Sequence, residues 1–271
     1  MLALPFFAIA TVFSIRVPSA HAHGYVQEVV ADGTTYTGYL PYEDPYKNPV
    51  PDRIIRKIPG NGPVEDVTLT DIQCNGESDN GTEPAALFAT IEAGSQLQLN
   101  WTAWPDSHVG PVITYLAAVP DGTDVTAYSP GTDSVWFKVD EAGKNDQGEW
   151  AATDGLYATN SVYSVTIPES LRPGQYIVRH EIIALHQSYS YPGSQFYPSC
   201  IQIEVTGCGD AFPTDDFLVS FPGAYTPDTP GIVYNVYTNT SAYPIPGPTV
   251  FVANPFVFLS TVLNTIFRWS P

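Results

Sequence analysis

Polar and apolar residues alternate along several short stretches of this chain. Gln96-Leu97-Gln98-Leu99-Asn100-Trp101 and Cys200-Ile201-Gln202-Ile203-Glu204-Val205 both alternate, and residues 161–167 do so loosely. A period of two sends successive side chains to opposite faces, which marks a half-buried β-strand. Residues 112–119 and 175–185 form longer, mostly apolar runs that read as buried strands. Tyr, Val, Ile and Thr dominate these stretches, as strands prefer. The 26 prolines and 21 glycines are spread from end to end and leave little room for long helices. The pattern predicts an all-β chain: an immunoglobulin- or fibronectin-like antiparallel β-sandwich with long loops and short helical turns. Residues 31–66, rich in Pro, Tyr, Gly and Asp, read as one long surface loop.

Both ends depart from this pattern. Residues 2–15 are almost wholly apolar and lead into Ala20-His21-Ala22, the small-residue pattern of a secretory cleavage site. Removal of residues 1–22 would make His23 the first residue of a secreted, extracellular protein. Residues 250–267 are strongly apolar, with Asn254, Pro255 and Asn264 inside. That stretch reads either as a membrane or lipid-anchor signal or as a non-native tail; its length, Pro255 and Asn264 count against a spanning helix. The expected layout is a signal peptide over 1–22, one domain over 23–250 and an apolar tail over 251–271.

Composition narrows the function. The net charge is −18, from 28 acidic residues against 10 lysines and arginines. Nucleic-acid affinity rests on Lys and Arg, so that class is excluded. The balance suits work on a neutral polymer. Sequons at Asn80, Asn100 and Asn239 agree with secretion and mark candidate glycosylation sites. Three cysteines, Cys74, Cys200 and Cys208, cannot all pair within one chain. With 28 acids, a carboxylate pair for glycoside hydrolysis could be found almost anywhere, so that reading has no specific support.

The candidate chemistry lies in histidines. After cleavage His23 would offer a free α-amine beside its ring, two nitrogen donors able to chelate one metal ion. His108 lies in Trp104-Pro105-Asp106-Ser107-His108-Val109-Gly110-Pro111, a rigid loop before the strand at 112–119. It reads as a metal ligand or as an ordinary exposed histidine. His186 ends Arg179-His180-Glu181-Ile182-Ile183-Ala184-Leu185-His186 and reads alone as a strand-end residue, while His180 reads as structural. Gln195 and Tyr197 are two apart and would share a strand face. Tyr197 could be a weak oxygen ligand or a core tyrosine.

Taken together these segments resemble fungal lytic polysaccharide monooxygenases of auxiliary activity family 9, formerly glycoside hydrolase family 61. The similarity runs through His23-Gly24-Tyr25-Val26, Asp71-Ile72-Gln73-Cys74-Asn75, residues 101–111, 179–186 and 195–200, then Pro222-Gly223-Ala224-Tyr225 and Pro244-Ile245-Pro246-Gly247-Pro248. The resemblance implies one copper ion per chain, held by the α-amine and Nδ1 of His23 and Nε2 of His108, with Tyr197 at a distant axial position. Such a nitrogen-rich set suits copper. His186 and Gln195 match an outer pair that orients the site and, with Tyr197, serves catalysis. Cys74 and Cys200 match the family disulfide. Tyr225 matches a substrate-face position, and Tyr42, in the long loop, is a further stacking candidate.

By the same resemblance, the expected activity is oxidative cleavage of cellulose or a related β-1,4-glucan at C1 or C4. It would draw on O2 or H2O2 and an external reductant: a small phenol, ascorbate or cellobiose dehydrogenase. The chain is expected to act as a monomer. The alternative is a non-catalytic copper-binding or cell-wall-binding protein on the same fold.

Overall fold

The computed structural model describes residues 23–76, 82–238 and 241–252. The expected signal peptide, the sequons at Asn80 and Asn239, and nearly all of the apolar tail lie outside the described residues.

Nine strands form two sheets. β1 (Val26–Ala31), β2 (Thr34–Thr37), β4 (Gln96–Trp101) and β7 (Val162–Thr166) make a four-stranded sheet in the order β2-β1-β4-β7. β3 (Ala89–Glu92), β5 (Val112–Ala118), β6 (Trp136–Ala142), β8 (Gly174–Ala184) and β9 (Gln195–Thr206) make a five-stranded sheet in the order β3-β9-β8-β5-β6. The stretches at 96–101, 112–119, 161–167, 175–185 and 200–205 each form or overlap a strand. The pairing is antiparallel with one exception, because β3 runs parallel to β9. Helical segments among the described residues are three-residue turns, apart from Ala151–Gly155 running directly into Leu156–Ala158.

The two strand patterns report two environments. In β4 the even members of the run, Leu97, Leu99 and Trp101, are buried, while Gln96, Gln98 and Asn100 are not. The five-stranded sheet is covered on both faces, so β5 and β8 lose their polar face. Leu116, Val178, Ile182 and Ile201 face the other sheet. Ile113, Ile177, Ile183 and Phe196 face a second apolar cluster built with Ile72, Phe221, Tyr225 and Tyr243 from the long connections.

The packing of residues 31–66 corrects their reading as a surface loop. Ile54 and Ile55 are 1% and 2% exposed and join the inter-sheet core. Arg56 N donates to Cys200 O at 2.9 Å, and Gln202 N donates to Ile54 O at 2.9 Å, so the segment pairs with β9. The Cys74–Cys200 disulfide, closing 126 residues of chain, fixes the end of this connection to the same strand. Cys208 is free and exposed.

Candidate metal centre

The strands that matter all end at one edge of the sandwich. His23 enters there just before β1, and its neighbour is locked to the loop after β4: Tyr25 N donates to Thr102 Oγ1 at 3.1 Å, and Thr102 N donates to Tyr25 O at 3.0 Å. Gly24 suits this approach, since a Cβ would lie 3.0 Å from both Thr102 Oγ1 and Trp104 Cε3 and those side chains would have to give. His108 sits in a turn closed by His108 N donating to Pro105 O at 3.0 Å, and Trp104 Nε1 donates to His108 O at 2.9 Å. Gly110 lets that loop lie on β8, where a Cβ would fall 1.8 Å from Ile183 O. Gln195 and Tyr197 open β9 on one face.

These placements bring three side chains distant in sequence into one cluster. Ring centroids are 5.8 Å apart for His23 and His108, 5.9 Å for His23 and Tyr197, and 6.4 Å for His108 and Tyr197. His186 lies over His108 at 4.0 Å. Trp104 forms a wall, edge-on to Tyr197 at 4.9 Å and to His108 at 5.8 Å. His23 and His186 are half-buried, and Tyr197, 1% exposed, lies beneath. Tyr197 Oη donates to Gln195 Oε1 at 3.0 Å.

The electrostatics favour the ligand form of the imidazoles. Burial, then the nearby His186 and His23, pushes the His108 pKa down to about 4. His186 is lowered by burial and by His23. Burial, reinforced by Glu65, raises the Tyr197 phenol. At neutral pH His108 and His186 are uncharged and Tyr197 is protonated. His108 Nδ1 lies 3.0 Å from Ser107 Oγ, whereas its Nε2 is buried with no hydrogen-bond partner, as is His186 Nδ1. Among the described residues no group of three or more His, Cys, Asp or Glu gathers as a metal site, so any metal here needs a donor beyond the imidazoles.

The other expected residues separate. Tyr42 is 59% exposed, and its Oη donates to Asn61 Oδ1 at 2.7 Å, while Asn61 Nδ2 donates to His23 O at 3.4 Å. Tyr225 is not on an open face: it is 3% exposed, and its hydroxyl donates to the buried Glu181. An enclosed ring cannot stack on a sugar, which corrects that expectation. Asn100 is half-buried, and its Nδ2 donates to Glu28 Oε1 at 3.3 Å, a bond a glycan would displace. His180 is fully buried, accepting from Trp101 Nε1 at 3.1 Å through Nε2, so its Nδ1 proton faces Thr114 Oγ1 at 2.9 Å.

Two contributors were not singled out from sequence. Tyr237 is 72% exposed, and its Oη donates to His186 O at 3.1 Å, which places an open ring beside the cluster. Residues 59–66 line a groove of 420 Å3 with Tyr42 and bring Asn61 and Glu65 to the site. Neither has a period or spacing that marks it; only the Asn61-Gly62-Pro63 turn signal was visible.

A family model for Auxiliary Activity family 9 (formerly GH61) matches residues 23–243. The chain is 62% identical over 235 residues to AA9 family lytic polysaccharide monooxygenase A of Gloeophyllum trabeum, covering 86% of this chain and 73% of that protein. Among solved structures, the extended catalytic domain of H. jecorina LPMO9A superposes with a TM-score of 0.76 at 32% identity, covering 92% of this chain and 96% of that one. A cellulose-active polysaccharide monooxygenase from M. thermophila superposes with a TM-score of 0.72 at 32% identity, covering 86% of this chain and 100% of that one. The chain belongs to Auxiliary Activity family 9, and with it to the polysaccharide-oxidising monooxygenases.

Proposed function

We propose that this chain, cleaved before His23 and secreted, is a copper-dependent monooxygenase that breaks β-1,4-glucan chains, cellulose above all. The observation that carries the reading is the meeting of His23, His108 and Tyr197, with His108 Nε2 buried and unpartnered. A buried nitrogen without a partner is costly unless a ligand occupies it. The donor chemistry fits copper: two imidazoles and an amine form a nitrogen-rich set. The residues that would hold the ion are His23, through its ring and its amine, and His108, with the Tyr197 oxygen as a weak further donor. In the 271-residue chain the His23 nitrogen is a peptide amide to Ala22, so cleavage creates the third nitrogen. When bound, copper supplies the one-electron chemistry that activates O2 or H2O2, with electrons from an external reductant.

The protein's own residues prepare that site. Trp104 and the Pro105 turn hold His108 in place, and His108, its pKa pushed down to about 4, stays neutral in mildly acidic surroundings. Gln195 takes the Tyr197 proton into a hydrogen bond. His186, tilted against His108, leaves an unpartnered Nδ1 that could bond an oxygen reactant. Tyr42 and Tyr237, both open to solvent and tied by hydrogen bonds to the histidine segments, offer rings to stack on sugars. A face of this kind suits a solid polymer that cannot enter a pocket. The relative described as cellulose-active supports the choice of cellulose.

The test has two parts. Calorimetry with Cu(II) compares the chain beginning at His23 with one that retains Ala22; only the former should bind one equivalent tightly. Mass spectrometry of cellulose incubated with copper, oxygen and ascorbate should show C1- or C4-oxidised oligosaccharides that vanish without reductant. Copper binding with no oxidised product would assign the chain to the non-catalytic alternative, and unoxidised sugars alone would overturn the oxidative reading.

A further inference from the structure

Glu65 stands directly opposite Gln195. Val64 N donates to Phe196 O at 2.8 Å and Phe196 N donates to Val64 O at 2.9 Å, an antiparallel bridge that pairs residue 64 with residue 196. In that register the next pair is Glu65 with Gln195. Gln195 Nε2 donates to Glu65 Oε1 at 3.1 Å, and Tyr197 Oη donates to Gln195 Oε1 at 3.0 Å. Glu65 is exposed, while Gln195 and Tyr197 are 8% and 1% exposed, so the relay runs from the surface into the cluster.

The polarity of this relay has one consistent arrangement. A carboxylate only accepts hydrogen bonds. It therefore draws the NH2 end of the Gln195 amide and leaves the carbonyl end facing Tyr197. Tyr197 must then donate, which commits its proton to Gln195 and frees its oxygen lone pairs for the histidine side. With the opposite amide orientation, the NH2 would donate to Tyr197 and the phenolic proton would turn away from Gln195. We propose that Glu65 is a positioning residue: through the Gln195 amide it sets whether a lone pair or a proton of the Tyr197 hydroxyl faces His23 and His108. The inference rests on the proposed copper site for its consequence, but not for the relay itself.

Two substitutions at this exposed position separate polarity from packing. Glu65→Gln keeps an oxygen able to accept from Gln195, whereas Glu65→Lys offers only donors and calls for the reversed amide. In copper-free mature protein, side-chain amide NOEs of Gln195 should point to residue 65 and away from the Tyr197 ring in wild type and Glu65→Gln. In Glu65→Lys that intensity ratio should invert. In the Cu(II)-loaded chain, the EPR hyperfine splitting should shift for Glu65→Lys and stay at the wild-type value for Glu65→Gln. An unchanged amide in Glu65→Lys overturns the inference, as does an inverted amide with no spectral shift. Failure of the wild-type chain to bind copper overturns the proposed function instead, and the copper-free NOEs then decide the relay alone.

Discussion

The interior of the outer layer holds an ion pair whose removal has a calculable cost. Arg179 and Glu181 are both fully buried on β8 and hydrogen-bond to each other. Arg179 also donates to Ile72 O through Nε at 3.1 Å and Nη2 at 2.7 Å, and its guanidinium lies 3.9 Å from the Phe221 ring centroid. Tyr225 donates to Glu181, so the 3.2 Å contact between the two tyrosine hydroxyls must be Tyr115 donating to Tyr225. Glu181→Leu leaves Arg179 as an uncompensated charge in an apolar layer. Breaking one side of such a pair costs about 3–5 kcal/mol. For a domain of this size each kcal/mol moves the melting temperature about 2–4 °C, so the expected drop is about 6–20 °C. Replacing both charges, as Arg179→Met with Glu181→Leu, removes the orphan charge and should be less destabilising than Glu181→Leu alone, leaving the Ile72 carbonyl and the Tyr225 hydroxyl underpaired at about 1–3 kcal/mol. The assay is a double-mutant cycle by thermal and urea unfolding. Two single losses that simply add in the double variant, or a Glu181→Leu cost below about 1 kcal/mol, would refute the reasoning.

Other consequences are as direct. Cys74→Ala with Cys200→Ala opens a loop of 126 residues and should cost about 5 kcal/mol in the chain-entropy model, read by urea unfolding; a loss under about 1 kcal/mol would contradict it. Buried His180, its pKa pushed down to about 3 by burial and then by Arg179, takes up a proton readily only when unfolded, so acid favours the unfolded chain. Stability should therefore fall as pH drops from about 6.5 toward 3, and His180→Gln should flatten that slope; equal slopes would remove His180 as the cause. Gly110→Ala places a methyl against Ile183 O and should cost about 3 kcal/mol while loosening His108, visible as weaker copper uptake; a wild-type melting temperature would show that the loop yields. Tyr237→Ala should weaken binding to insoluble cellulose severalfold and leave copper affinity unchanged, whereas Tyr225→Phe should alter neither cellulose binding nor copper affinity and only lower stability.

The strands were legible because the sandwich imposes simple patterns. Leu97, Leu99 and Trp101 alternate with polar neighbours, and β5 and β8 read as buried because two layers enclose them. Ile54 and Ile55 escaped notice since a bridge to β9 buries them without any period of their own. Tyr225 was misplaced for a related reason. Its partner Glu181 is a charge inside an apolar run, and nothing local announces that the charge is buried and in need of a donor. His23, His108 and Tyr197 could be joined through family resemblance alone, because no spacing rule connects residues 85 and 89 positions apart. Asn61 and Glu65 depend on the Val64–Phe196 pairing, which is a fact of tertiary register.

That register bears on how a chain terminus can serve as a ligand. Ends of chains fray unless tied down, and a frayed His23 would lose the geometry that chelation needs. Here its peptide carbonyl accepts from Asn61, and the Tyr25 backbone exchanges two bonds with Thr102. Gly24 is closed in by Trp104, the residue that also holds His108. The loop after β4 thus restrains both histidines, while residues 61–65 reach His23 through Asn61 and Gln195, the partner of Tyr197, through Glu65. Because β9 carries both the bridge to Val64 and the disulfide to Cys74, the long connection is fixed to the same strand that presents Tyr197. The cluster is therefore held by the loop after β4 and by residues 61–65, and in the proposed reading cleavage before His23 would add only an amine to groups that already stand in place.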